Sequence, residues 1–173
     1  MEEIPNELNG SVVCNVPGMS TTDSTCSADA SADSLTEKII GCAMTVHRAL
    51  GPGLLESVYR DCLIIELATE KLRTECDKPV PLSYRGQPVS DLKLDLLVEG
   101  RVVVEVKAVS QLHPVHQAQV LTYLKLTGHP VGLLMNFNTT TLRAGLKRLV
   151  HPDLYVKKKE AASRSVECCD RSP

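Results

Sequence analysis

The chain of 173 residues fits one domain with ragged ends, and its 43% hydrophobic content fills a core; with no Trp and a single Phe, that core is mostly aliphatic and base-stacking aromatic platforms are all but excluded. Residues 1 to 34 hold six acidic and no basic side chains, residues 157 to 173 hold five basic and three acidic, and the stretch between holds 14 basic and 12 acidic, a net +2 that marks neither a polybasic nor an acidic binder. No apolar run approaches a membrane span. The opening MEEIPNE has neither the basic stretch nor the apolar run of an export signal, and the seven Cys form no CxxC pair, so reduced thiols in a cytoplasmic setting are the expectation.

In chain order, residues 1 to 33 are rich in Ser, Thr, Asp and Asn without a helical or strand period and are expected to be disordered. Ser34-x-x-Glu37 reads as a capping box opening a helix with Ile39, Ala43, Val46 and Leu50 on one face, ended by Gly51-Pro52-Gly53. A second helix is predicted from about Leu54 to Leu72, with Leu55, Val58, Cys62, Ile65 and Leu72 as its apolar stripe. Pro79, Pro81, Gly86 and Pro88 then punctuate short strands, and Leu92 to Leu97 and Arg101 to Ala108 read as two more. Pro114 suits the first turn of a helix reaching about Leu126, stopped by Gly128 and Pro130. Val131 to Phe137 is predicted as a buried strand, Leu142 to Val150 has no clear period, and residues 153 to 173 form a polar tail. The expected fold class is α/β (α+β), a mixed sheet flanked by helices, with one domain over residues 34 to 152.

The stretch VVVEVK, residues 102 to 107, places Glu105 and Lys107 in an otherwise apolar strand. If this strand pairs with the one before it so that partner numbers sum to an even value, Leu92, Leu94 and Leu96 join Val102, Val104 and Val106 on one face. Asp95, Glu105 and Lys107 then share the other. An odd sum mixes apolar and charged groups on both faces, so burial favours the even register, delivered by a three-residue loop Val98-Glu99-Gly100. Two carboxylates and a strand carbonyl, such as that of Val106, suit Mg²⁺ or Mn²⁺. Read alone, the same residues are more simply a solvated strand face with a weak cross-strand ion pair.

Glu56 and Tyr59, three apart, lie on one face of the second helix, and Gln119 and Tyr123, four apart, share a face of the helix after Lys107. Taken together, Gly53-x-x-Glu56-x-x-Tyr59, the Asp95 strand, Glu105-Val106-Lys107, His116-Gln117-Ala118-Gln119, Tyr123-Leu124-Lys125 and Gly132-Leu133-Leu134-Met135-Asn136-Phe137 resemble the GxxExxY family, placed in the PD-(D/E)XK nuclease superfamily. The likeness runs from about Leu35 to Val150. Gln119-x-x-x-Tyr123 is also similar to a helix motif of the RecB-like nucleases.

The resemblance implies a restriction-endonuclease-like core with Asp95 and Glu105 as metal ligands, Lys107 as the catalytic lysine, Glu56 completing the site from its helix, and Gln119 with Tyr123 lining it. The function it implies is Mg²⁺- or Mn²⁺-dependent hydrolysis of phosphodiester bonds, with DNA as the partner. The alternative is a nuclease-fold module that binds nucleic acid or a protein partner without turnover. His113 and His116, in HPVH, lack the further ligands a zinc site needs.

Overall fold

The computed structural model describes residues 12–13, 32–89, 92–151 and 153–154. Among these described residues, eight strands and four helices follow in the order β1 (Val12–Val13), α1 (Ala32–Leu50), α2 (Glu56–Thr69), β2 (Thr74–Pro79), β3 (Ser83–Tyr84), β4 (Gln87–Pro88), β5 (Lys93–Val98), β6 (Val102–Lys107), α3 (Pro114–Thr127), β7 (Val131–Asn136), α4 (Leu142–Gly145) and β8 (Leu146–Val150). One mixed sheet runs β1-β2-β5-β6-β7-β8, and β3-β4 is a separate two-stranded ribbon. Only β6 and β7 are parallel, joined by the α3 crossover, and the other pairs are antiparallel. The fold class is as expected: a mixed sheet between helices, consistent with a PD-(D/E)XK nuclease core.

Two apolar layers flank the sheet. On one face, α1 and α2 pack through Leu35, Ile39, Ala43, Val46, Tyr59, Leu63 and Leu67 onto Leu96, Val98, Val102, Val104 and Val106. On the other, α3 packs Val120, Tyr123 and Leu124 onto Leu94, Leu97, Val103 and Leu134. β7 is therefore buried at all six residues, as the unbroken apolar run Val131–Met135 implies.

Several expectations change. The helix stripe predicted for α2 is only partly inside: Cys62 and Leu72 pack against the core, whereas Leu55, Val58 and Ile65 are exposed and Tyr59, Leu63 and Leu67 are the buried positions. This helix is apolar on more than one side, so periodicity alone leaves its rotation open. The stacking of Tyr59 on Phe137, with ring centroids 4.7 Å apart, is one contact that fixes it. Helix α1 begins at Ala32, which leaves Ser34 inside the first turn rather than at its cap, and Leu50 is exposed at the far end. Val12–Val13 was expected outside the fold but pairs with β2, covering main-chain groups of an edge strand, and Ala32 and Asp33 belong to α1; the remaining residues of 1 to 33, and the expected polar tail beyond residue 154, lie outside the described residues. The stretch 142–150 resolves into the single turn α4 and the edge strand β8. β2 went unread because TECDKP has no apolar alternation; only Thr74 and Cys76 are buried.

The even register of β5 and β6 holds, with Leu96 opposite Val104, Leu97 opposite Val103 and Val98 opposite Val102. The turn is Glu99-Gly100-Arg101, one residue later than expected, and both Glu99 (φ 52°) and Gly100 (φ 60°) are left-handed. A glutamate in that conformation needs support, and Glu99 has it: its N–H donates to the Arg73 carbonyl and its carboxylate accepts from the Arg73 N–H. Within β5, however, Leu94 joins the α3 side while Leu96 and Val98 join the α1–α2 side. The face alternation slips at Asp95. The neighbouring strand does the same, with Cys76 on one side and Val80 on the other, and Asp77, at the skipped position of that ladder, has φ 48°.

Cys42 and Cys62 are free, as expected of reduced thiols, whereas Cys76 is disulfide-bonded, which overturns that expectation at one position. No helix among the described residues is long and apolar enough to cross a membrane. Gly145 sits against the end of β7, where a β-carbon would overlap the Asn136 carbonyl and crowd Thr139. Gly145→Ala is expected to destabilise the fold by about 1–3 kcal/mol, read as a lowered urea midpoint at unchanged slope.

Candidate active site

The slip at Asp95 has a chemical consequence. Past Leu96 and Val104 the β5–β6 ladder stops, and the Val106 N–H instead donates to Asp95 Oδ2 at 2.9 Å. The aspartate side chain thus takes a main-chain donor of β6 and is held beside that strand. Glu105, one residue earlier on β6, is 2% exposed. Its Oε1 accepts from Lys107 Nζ at 2.8 Å, and its Oε2 is buried with no hydrogen-bond partner among the described residues. The same Lys107 Nζ lies 3.6 Å from Glu56 Oε1, which α2 presents from its first turn.

Three carboxylates therefore surround one ammonium, and the electrostatics follow from that imbalance. Burial pushes the Glu105 carboxyl up to about 7, the charge of Asp95 adds to the rise, and the Lys107 hydrogen bond opposes it. Burial also raises Asp95, against the pull of the Val106 N–H and Lys107. Burial alone would lower Lys107, but its hydrogen bond to Glu105 and the charges of Glu105, Asp95 and Glu56 outweigh that and raise it, so the lysine stays an ammonium at neutral pH.

Glu56 reaches this cluster because α2 is anchored just before it. Tyr59 Oη donates to the Gly51 carbonyl at 2.6 Å and accepts from the Leu54 N–H at 3.1 Å, closing the loop between α1 and α2. Tyr59→Phe leaves both main-chain groups without that partner. The expected cost is about 1–3 kcal/mol of stability, measured by chemical denaturation, because the ring itself still fills its place against Phe137.

Of the predicted site residues, the structure brings Asp95, Glu105, Lys107 and Glu56 together. Val106 contributes its N–H to Asp95. Gln119 Nε2 donates to Tyr123 Oη at 2.9 Å, but no hydrogen bond or ion pair among the described residues joins that pair to the carboxylates. His113 and His116 cap α3, with His116 Nδ1 accepting from the His113 N–H.

Sequence reasoning did not single out Asn136. Buried at the end of β7 and opposite Lys107 in register, it accepts from the Val109 N–H and donates to the Val109 carbonyl, clamping the chain where it leaves β6. An asparagine closing an apolar strand is the signal that could have pointed to it.

Among the described residues no group of three or more His, Cys, Asp or Glu side chains lies close enough to cage a metal. The donor set nevertheless fits a hard, partly hydrated cation. Glu105 Oε2 is a buried acceptor left open, Asp95 is adjacent, and Mg²⁺ or Mn²⁺ takes one or two carboxylates and keeps several waters.

The family profile of the PD-(D/E)XK nuclease superfamily matches residues 33–149, the span that carries α1 to β8 and every residue of this cluster. No curated protein and no solved structure gives a match. With the profile covering well over half of its length, and with the sheet, the helices and the carboxylate–lysine cluster where they are, the chain belongs to the PD-(D/E)XK nuclease superfamily.

Proposed function

We propose that the protein is a Mg²⁺- or Mn²⁺-dependent nuclease of the GxxExxY kind that hydrolyses phosphodiester bonds of DNA. The observation that carries this reading is the open Oε2 of Glu105, buried beside Asp95 and within the reach of Lys107. Without a cation the cluster holds three carboxylates against one ammonium and repels phosphate. A module that only gripped nucleic acid would gain nothing from such a centre, so the charge pattern favours turnover.

Asp95 and Glu105 are the residues that would hold the cation, with Glu56 facing them through Lys107. When bound, such a cation acidifies a coordinated water and offsets the charge that grows on the attacked phosphate. The chain supplies the rest. The Val106 N–H holds the Asp95 carboxylate against β6, the strand that carries Glu105. Lys107, on a strand buried nearly throughout, holds its proton at Nζ, where an ammonium stabilises negative charge on a phosphoryl oxygen or orients a water.

Incubation of the protein with single-stranded and duplex DNA and RNA, in Mn²⁺, Mg²⁺ or chelator, tests the reading. Cleavage of DNA that requires the cation and disappears in Glu105→Gln is the expected result. Cation-independent cleavage, or no cleavage of any substrate, would sink it.

A further inference from the structure

The near-neutral charge of the central residues is not evenly spread. Among the described arginines, Arg60, Arg73 and Arg148 hold carboxylates, and Arg85 lies over the Tyr84 ring. Arg48 and Arg143 have neither kind of partner among the described residues, and both line the same pocket. It is a hollow of about 460 Å³ between the end of α1 and the loop leading into α4. His47, Thr140 and Thr141 also line it, and no carboxylate does.

This pocket is tied to the carboxylate cluster through single residues. The Phe137 N–H donates to the Lys107 carbonyl at 2.8 Å, and the Phe137 ring stacks on Tyr59 and lies 6.2 Å from His47. His47 Nε2 pairs with the Thr139 carbonyl at 2.9 Å, holding α1 against the loop. Gly51, on the pocket wall, accepts the Tyr59 hydroxyl that anchors the helix bearing Glu56. Both sites therefore open at the same end of the sheet, where the parallel strands β6 and β7 terminate and where α/β sheets bind ligands. Arginine forks and threonine hydroxyls are donors, and a phosphodiester offers only acceptors.

We infer that the Arg48–Arg143 pocket binds a backbone phosphate of the nucleic-acid strand, next to the phosphate presented to the carboxylate cluster. This rests on the nuclease reading for the identity of the ligand, but it is read by binding rather than by turnover. The competing role is unspecific: Arg48 lies in the last turn of α1, where a cation complements the helix dipole, and both arginines are solvated.

The test is a salt titration of binding to labelled single-stranded and duplex DNA, with chelator. The reference is the full-length chain carrying Glu105→Gln, which removes turnover and one repelling carboxylate. Adding Arg48→Glu and Arg143→Glu is expected to weaken binding roughly tenfold or more and to make the salt slope shallower by about one unit, whereas Arg48→Lys with Arg143→Lys keeps most of both. Both residues are exposed, so the melting temperature should hold. Equal affinity and slope in the charge-reversed protein overturns the inference, as does a reference protein that binds no DNA. The two readings fail separately. Cleavage by otherwise wild-type protein with an unchanged KM after charge reversal removes only the pocket. Arginine-dependent binding without any cleavage removes only the nuclease assignment.

Discussion

Lys107→Ala is expected to lower cleavage by about two to three orders of magnitude while Mn²⁺ binding persists, the loss seen when one preorganised electrostatic donor is removed from a transition state. An ammonium is not a ligand, so the cation site has no direct need of it. Its removal frees Glu105 Oε1, which Lys107 holds at 2.8 Å, but also lets the Glu105 carboxyl rise further, so Mn²⁺ affinities have to be compared well above pH 7, where protons no longer compete. Asp95→Asn gives the opposite pattern, because it removes a carboxylate from the site itself. Calorimetric Mn²⁺ titrations and single-turnover rates on the two variants tell them apart. The substitution also removes the hydrogen-bond partner that the Glu105 carboxylate has among the described residues, so the rates have to be compared where both proteins are folded. If Lys107→Ala cuts as fast as wild type, the lysine has no catalytic part even where the family assignment stands.

The second large effect is on stability. Glu105 is raised from 4.5 to about 7 by burial, so between those pH values the native protein binds more protons than the unfolded chain. Stability therefore falls as pH rises from about 4.5 through 7, in the direction opposite to an ordinary ion-paired carboxylate. Asp95, also raised, adds to the fall at lower pH. Lys107, raised above 10.5, supplies stability that is lost only in strong alkali, outside this window. The Glu105 shift corresponds to roughly 3 kcal/mol, and Glu105→Gln is expected to recover about 1–3 kcal/mol of it at pH 8, since Lys107 keeps Glu56 nearby. Melting temperatures from pH 5 to 8 should flatten in the variant and rise by several degrees at the upper end. Mn²⁺ should stabilise wild type increasingly as pH rises through 7 and leave Glu105→Gln unmoved. A wild-type melting temperature that climbs over the same range would show that the carboxyl is not raised.

Much of this centre was legible before any coordinates. The hairpin register followed from burial, because Leu96, Val98, Val102, Val104 and Val106 have to share a face and Glu99-Gly100 turns the chain between them. That register puts Asp95 on the side of Glu105 and Lys107, and the hydrogen bond from the Val106 N–H that holds it there comes with the slip at Asp95. Helix α3 was equally plain, with Pro114 at its start and Gly128 left-handed at its end. These are local matters, in which a period of two or of 3.6 meets one apolar layer.

What only the tertiary structure decided lies wherever that condition fails. The rotation of α2 could not be read because more than one of its sides is apolar, and its packing with Tyr59 against Phe137 selected one. That choice brings Glu56 to Lys107, 51 positions away in the chain. β2 could not be read because a strand of mostly polar residues takes its conformation from the neighbour it pairs with, in this case β5. The slip at Asp95, shared by two adjacent strands, breaks the alternation on which the register argument was built, and it moves Leu94 to the opposite layer while leaving Asp95 in reach of the Val106 N–H. Arg48 and Arg143 are 95 positions apart, and nothing in either neighbourhood announces the other. Periodicity records which side of one element is dry; the meeting of charges from different elements depends on how those dry sides close upon each other, and that is a property of the packed chain.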